Sequence, residues 1–197
     1  MRIETTDVLV IGAGPAGLTL TALLAREQVA AITITKFETT AYTPRAHITN
    51  QRAMEVFRDL GVEDELLTIA QPAEMMGSNV WATSVTGREL ARMYAWGAGP
   101  ARKGDYDNAS PSAMCNIGQH QLEPVLRRRA DALGADLRFG HEMTAIRQDD
   151  SGVEADVRVN TTGETYFVLC CRRSEGTSVQ IMTGFFYARF GTSTFFT

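Results

Sequence analysis

The sequence predicts an α/β fold with parallel core strands, and three local observations carry that prediction. Asp7-Val8-Leu9-Val10-Ile11 is a continuous apolar run, the character of a parallel strand covered on both faces. Pro15 to Arg26 has helical spacing through Leu18, Leu20, Leu23 and Leu24. Ala31-Ile32-Thr33-Ile34-Thr35 is rich in β-branched residues and reads as the next strand. A right-handed crossover then makes the two strands parallel neighbours.

The rest of the chain follows in order. Gln51 to Leu60 reads as a helix with Met54, Phe57 and Leu60 on one face and Gly61 as its stop. Glu63 to Ile69 adds a short helix. Met75 to Tyr94 alternates loosely around Gly77 and Gly87, which suggests two strands joined by a turn and an added mixed or antiparallel sheet. Gly97 to Asn116 is rich in Gly, Pro, Asp, Asn and Ser, and is expected to be a long loop. Gln119 to Leu133 is a helix ended by Gly134. Three short strands are expected after it, near Asp136 to Phe139, Glu154 to Asn160 and Glu164 to Cys171. Ser174 to Thr197 shows neither helical nor strand periodicity, and two pairs of phenylalanines fall within it.

Composition narrows the function classes. The 197 residues are 44% apolar and 21% charged, the ordinary range of a soluble globular domain. A net charge of -4 argues against nucleic acid or an anionic membrane as partner. The run Arg127-Arg128-Arg129 reads as a solvated helix face. Cys115, Cys170 and Cys171 form no disulfide framework, and with His47, His120 and His141 they show no metal-ligand spacing. The apolar start lacks a basic leader and carries glycines in its middle, so it is not read as a signal peptide. No stretch is long and apolar enough to span a bilayer. A cytoplasmic location is expected.

Gly12-Ala13-Gly14-Pro15-Ala16-Gly17 matches Gly-X-Gly-X-X-Gly. The pattern alone is weak; between a strand and a helix with a second strand beyond, it becomes a Rossmann-like dinucleotide fingerprint. Gly12 permits the tight turn, Gly14 leaves room for a pyrophosphate, and Gly17 lets the helix pack closely on the strand. Pro15 and Ala16 open the helix, whose free N–H groups and partial positive charge suit phosphates. The second strand of such units usually ends in an acidic residue for the ribose. Here Thr35 stands there, followed by Lys36. Thr35 can still bond a ribose hydroxyl, while Lys36 suits a phosphate-bearing cofactor or is simply solvated.

Thr43-Pro44-Arg45-Ala46-His47-Ile48-Thr49-Asn50-Gln51-Arg52-Ala53-Met54-Glu55 resembles the class A FAD-dependent aromatic monooxygenases, in their phenol hydroxylase and 2,4-dichlorophenol 6-monooxygenase branch. Ser110 to Asn116, leading to Gln119 and Leu122-Glu123-Pro124, resembles the same branch. The likeness covers about Thr6 to Val168. It implies an FAD-binding domain, NAD(P)H as electron donor, and hydroxylation of a small phenolic substrate with O2. A homodimer is left open. By that resemblance Arg45 falls where an arginine meets the FAD ribose and pyrophosphate, Gln51 lies in an FAD-contacting segment, and Gln119 falls on a glutamine at the flavin side. His47 sits where an active-site aspartate helps deprotonate the phenol; imidazole can do the same near neutrality. Arg45 as a surface ion-pair partner and His47 as an ordinary loop histidine are the alternatives. No nucleophilic role is needed for Cys115.

The resemblance also has an edge. Family members continue past the strand at Tyr166 to Cys171 into a Gly-Ala-Asp-Gly motif, and later into a Gly-Asp motif. Here Arg172-Arg173-Ser174-Glu175-Gly176 follows instead. The chain therefore reads as truncated, with a partial FAD-binding domain over residues 1–172 and an unrelated or disordered tail over 173–197. A change of coding frame or splicing near Cys171 would explain this. The competing reading of function is a catalytically inactive chain that at most binds FAD, adenine nucleotide or a partner chain.

Overall fold

A computed structural model describes residues 2–149, 152–171 and 182–183. The chain divides into two compact units, Met1–Thr39 with Gly134–Thr197, and Thr40–Leu133. The expected tail at 173–197 lies outside the described residues except for Met182 and Thr183.

In the first unit the strands are β1 (Arg2–Thr6), β2 (Val8–Ile11) and β3 (Ala31–Thr35), with helix α1 (Pro15–Arg26) between the last two. The second unit begins with β4 (Ile48–Thr49), α2 (Gln51–Asp59) and α3 (Glu63–Ile69), then β5 (Ser78–Ala82) and β6 (Glu89–Tyr94). It closes with α4 (Lys103–Ala109), β7 (Cys115–Asn116) and α5 (Gln119–Ala132). The chain returns to the first unit through β8 (Asp136–Phe139), β9 (His141–Asp149), β10 (Gly152–Val159), β11 (Thr165–Cys171) and β12 (Met182–Thr183).

The expected parallel core is present. β2 and β3 pair in parallel with Val10 opposite Thr33, and β8 and β12 extend the sheet in the order β12-β2-β3-β8. A second sheet runs β1-β11-β10-β9, antiparallel except for the parallel pair β1 and β11. The two sheets share one core. Val153, Ala155 and Val157 of β10 alternate inward, as do Tyr166, Val168 and Cys170 of β11, against Leu9, Ile32 and Ile34. α1 covers the other side of the parallel sheet, with Leu18, Ala22 and Val10 all fully buried. Leu18 and Val10 each contribute about 1.5–3 kcal/mol on burial. That double cover explains why β2 is apolar throughout, and why β3 is buried on both faces with its Thr33 hydroxyl bonded to Thr21 of α1.

The second unit is helical at its centre. Met54, Phe57, Leu60, Leu66, Leu122, Val125 and Leu126 form its buried apolar faces. β5 and β6 form the expected antiparallel pair, and β4 pairs with β7.

Two expectations are corrected. Gly97 to Asn116 is not all loop, since it contains α4 and β7. α4 buries no residue, so no apolar stripe marked it. It rests instead on the Lys103–Asp107 pair and on the Tyr106 carbonyl, which accepts from Gln51 Nε2 at 2.9 Å. Five strands rather than the expected three follow α5 among the described residues, the additions being β9 and the two-residue β12. β9 is a largely polar edge strand whose register with β10 shifts between Asp156 and Val157.

Candidate functional site

In the first unit the candidate site is the turn from β2 into α1. Gly12 has φ 104°, a left-handed conformation that glycine adopts without strain, and its N–H donates to the Ile34 carbonyl at 2.8 Å. A Cβ on Gly17 would lie 1.8 Å from the Gly12 carbonyl oxygen, so only glycine lets the helix sit this close. Two buried threonines fix the same contact. Thr21 donates to the Gly17 carbonyl at 2.7 Å and accepts from Thr33 of β3 at 2.6 Å. Gly14 is different, with φ −79° and ψ −175°, a backbone that any residue can take. Its lack of a side chain matters for space, and it leaves the helix N-terminus without a side-chain cap. The first turn holds Pro15, Ala16 and Gly17 and no acidic residue. Uncapped N–H groups with no competing carboxylate fit a pyrophosphate.

Thr35 ends β3 and is buried, while Lys36 is exposed with its Nζ 5.6 Å from the centre of the Phe37 ring. The first carboxylate beyond β3 is Glu38, which is exposed and packs against Gly140. It escaped the sequence reading because it stands three residues past the expected position.

In the second unit the candidate residues flank the β4–β7 ribbon. Arg45 is exposed and takes part in no salt bridge among the described residues, so the ion-pair alternative finds no partner there. Its cation is available for an anionic ligand. The His47 carbonyl accepts from Ile117 N–H at 2.8 Å, and its Nδ1 lies 2.9 Å from Asn116 Oδ1. Gln51 turns its amide N–H groups onto the carbonyls of Tyr106 and Ser112, at 2.9 and 3.0 Å. Its visible work is therefore to hold the segment around α4. The Gln119 backbone N–H donates to the Ala46 carbonyl at 2.8 Å, and its side chain donates to Glu123 Oε1 at 2.6 Å.

Sequence reasoning gave Glu123 and Asn116 no role. The Glu123 side chain is buried, and its second oxygen accepts from Ala41 N–H at 2.6 Å. One carboxylate thus ties the start of the Ala41–His47 segment to the first turn of α5. The signal was present, since Glu123 stands four residues after Gln119 on a face that also carries Leu122 and Leu126. Cys115 is buried, and burial followed by the nearby Glu63 charge pushes its thiol up to about 11, which suits a core residue rather than a nucleophile.

The parallel sheet, the glycine turn and the uncapped helix define a dinucleotide-binding domain. Residues 5–171 match the FAD binding domain family, and the chain belongs to it. Among curated relatives it is similar to 2,4-dichlorophenol 6-monooxygenase of Delftia acidovorans, 50% identical over 82% of this chain and 28% of the relative. It is also similar to phenol 2-monooxygenase of a Pseudomonas species, 44% identical over 85% of this chain and 28% of the relative. Among solved structures, the flavin-dependent monooxygenase PieE in complex with FAD and substrate matches with a TM-score of 0.82 and 41% identity. That match covers 86% of this chain and 29% of PieE. The chain thus spans somewhat over a quarter of the length of these relatives. No helix among the described residues is long and apolar enough to cross a membrane.

Proposed function

We propose that this chain supplies the FAD-binding part of an aromatic hydroxylase that acts on a small phenol with NAD(P)H and O2. The observation that carries the reading is its identity of 50% over 161 residues and 44% over 167 residues to two phenol-acting monooxygenases, beside a family match over 5–171 that includes both the glycine turn and the Arg45–Gln51 segment. Gly12, Gly14, Pro15, Ala16 and Gly17 receive the pyrophosphate, and Thr35 and Lys36 border the adenosine end. Arg45, which has no ion-pair partner among the described residues, contacts the cofactor's phosphate and ribose. Gln51 and Gln119 line the same cofactor through the amide atoms their protein contacts leave over. His47 takes the proton of the phenol, making the ring electron-rich. FAD, when bound, supplies the redox chemistry and the oxygen transfer. A cytoplasmic setting belongs to the same reading.

A second reading is favoured by one specific fact, the coverage of only 28% of each curated relative. Under it this polypeptide at most binds FAD, an adenine nucleotide or a partner chain, and does not turn over. Titrating the purified chain with FAD and following flavin absorbance and fluorescence tests the shared part of both readings. Saturable binding that is lost in Gly14→Val supports it, and no binding refutes it. Phenol-dependent oxidation of NAD(P)H then separates the two.

A further inference from the structure

His47 does not stand alone on its loop. β4 and β7 pair antiparallel with Ile48 opposite Asn116, which sets His47 and Asn116 at one end of the ribbon. The Gln71 backbone joins them, its N–H donating to the Asn116 carbonyl at 2.8 Å. The side chains continue the connection. Gln71 Nε2 donates to the Met75 sulfur at 3.7 Å, Asn116 Nδ2 donates to Gln71 Oε1 at 2.5 Å, and Asn116 Oδ1 lies 2.9 Å from His47 Nδ1.

The direction of this chain of hydrogen bonds is set at its far end. A thioether can only accept, so the Gln71 amide presents N–H to Met75 and its carbonyl to Asn116. Asn116 must then donate to Gln71, which leaves its own carbonyl facing the imidazole. A carbonyl is an acceptor only, so His47 Nδ1 must carry the hydrogen. The reverse direction would set the Gln71 carbonyl against sulfur, lone pair to lone pair. We infer that Asn116, oriented by Gln71, is a positioning residue that holds neutral His47 as the Nδ1–H tautomer with the Nε2 lone pair free. A second ring partner commonly selects the tautomer of a working histidine in this way.

The tautomer follows from geometry alone; its use rests on the hydroxylase reading above. There, Nε2 accepts the phenolic proton, giving a phenolate and an imidazolium whose Nδ1–H remains on Asn116. Asn116 orients the ring without bringing a charge of its own.

The test is nitrogen-15 NMR of the labelled 197-residue chain, read at the alkaline end of a pH series where the ring signals have stopped moving. The His47 ring signals are assigned by their loss in His47→Gln. We expect a protonated Nδ1 and a bare Nε2 in the native chain, a change to mainly Nε2–H in Asn116→Leu, and a return to Nδ1–H in Asn116→Asp, which keeps an acceptor. An Nε2–H ring in the native chain, or an Nδ1–H ring that persists in Asn116→Leu, overturns the assignment. The native spectrum decides even if the leucine variant does not fold. Phenol-dependent NAD(P)H oxidation is measured alongside. A native Nδ1–H ring in a chain that shows no such oxidation would sink the hydroxylase reading and leave the relay standing.

Discussion

Between Gly12 and Gly17 the chain works with backbone against backbone, and between Arg45 and Gln51 it works with side chains held on hydrogen bonds. In the first stretch, a left-handed glycine, a carbonyl 1.8 Å from a would-be Cβ and a buried threonine pair leave no freedom. In the second, Arg45 and His47 are exposed, and partners such as Asn116 and Gln119 orient the segment. The difference teaches where each site is vulnerable. A steric site fails all at once, whereas a hydrogen-bonded one loses its function by degrees.

The sharpest way to break that contrast is Gly17→Val. The added side chain meets backbone atoms of Gly12, and backbone cannot rotate out of the way. A loss of about 3 kcal/mol or more is expected, the upper end for overpacking. Urea unfolding would measure it. An unchanged midpoint would show that α1 can slide off the turn, and the steric account would fall.

Next in size is a polar cluster at the apolar core of the first unit. Tyr166 is fully buried; its hydroxyl accepts from Arg138 at 3.2 Å and meets His141 Nδ1 at 2.8 Å, while Arg138 pairs with Glu4 and Asp136. Tyr166→Phe leaves His141 Nδ1 without this partner and takes one bond from Arg138, which keeps Glu4 and Asp136, and should cost about 1–3 kcal/mol. The same cluster sets a pH dependence. Burial, then the Arg138 charge, lowers the His141 pKa, and the Arg138 hydrogen bond lowers that of Glu4. In each case the unfolded chain binds the proton more readily. Stability should therefore be full above the unfolded histidine range, near 6.5, and decline as pH falls, with Glu4 adding a further loss in the carboxylate range. His141→Asn, which keeps an acceptor but does not titrate there, should flatten the upper part of that decline. A native curve that is level from neutral pH to about 5 would remove His141 from the account.

These two regions were also unequally legible. The glycine turn could be read because each residue's requirement is local: φ at Gly12, space at Gly14, contact at Gly17. β2, β3 and α1 were legible for the same reason, as were α2 and α5, whose apolar faces repeat at helical spacing. β1 could not be read. It is five residues long and pairs with β11, where Arg2 lies opposite Tyr166, and nothing within Arg2–Thr6 announces a partner so remote in sequence. Arg45, His47 and Gln119 entered through family resemblance, since no local rule asks for them. Asn116 lies within the resembling segment, yet no local rule gives it a role, because its meaning depends on Gln71 and Met75. Side-chain sites of this kind become visible only when the fold brings the partners together.

Arg45→Ala probes the graded kind of loss. The residue is exposed and has no ion-pair partner among the described residues, so unfolding stability should change by no more than about 0.5 kcal/mol. FAD affinity should nevertheless fall by about tenfold, the scale of one charge-assisted hydrogen bond to phosphate. Equal affinity in the variant would remove Arg45 from the cofactor contacts. A large loss of stability would mean that the guanidinium holds the fold instead.

The smallest effect separates framework from function inside the side-chain region itself. Asn50 stands between His47 and Gln51, yet its visible role is to cap α2: its Oδ1 accepts from Ala53 N–H at 2.9 Å, at the N-terminus of the helix that buries Met54 and Phe57. Removing such a cap costs about 1 kcal/mol when alanine replaces it and only a few tenths when glycine does. Asn50→Ala should therefore lower stability by about 1 kcal/mol, Asn50→Asp should retain it, and FAD affinity should stay level in both once measured well below the unfolding transition. A drop in affinity without a drop in stability would move Asn50 out of the helix framework and into the contacts with the cofactor. The boundary drawn between Arg45 and Asn50 would then have to shift.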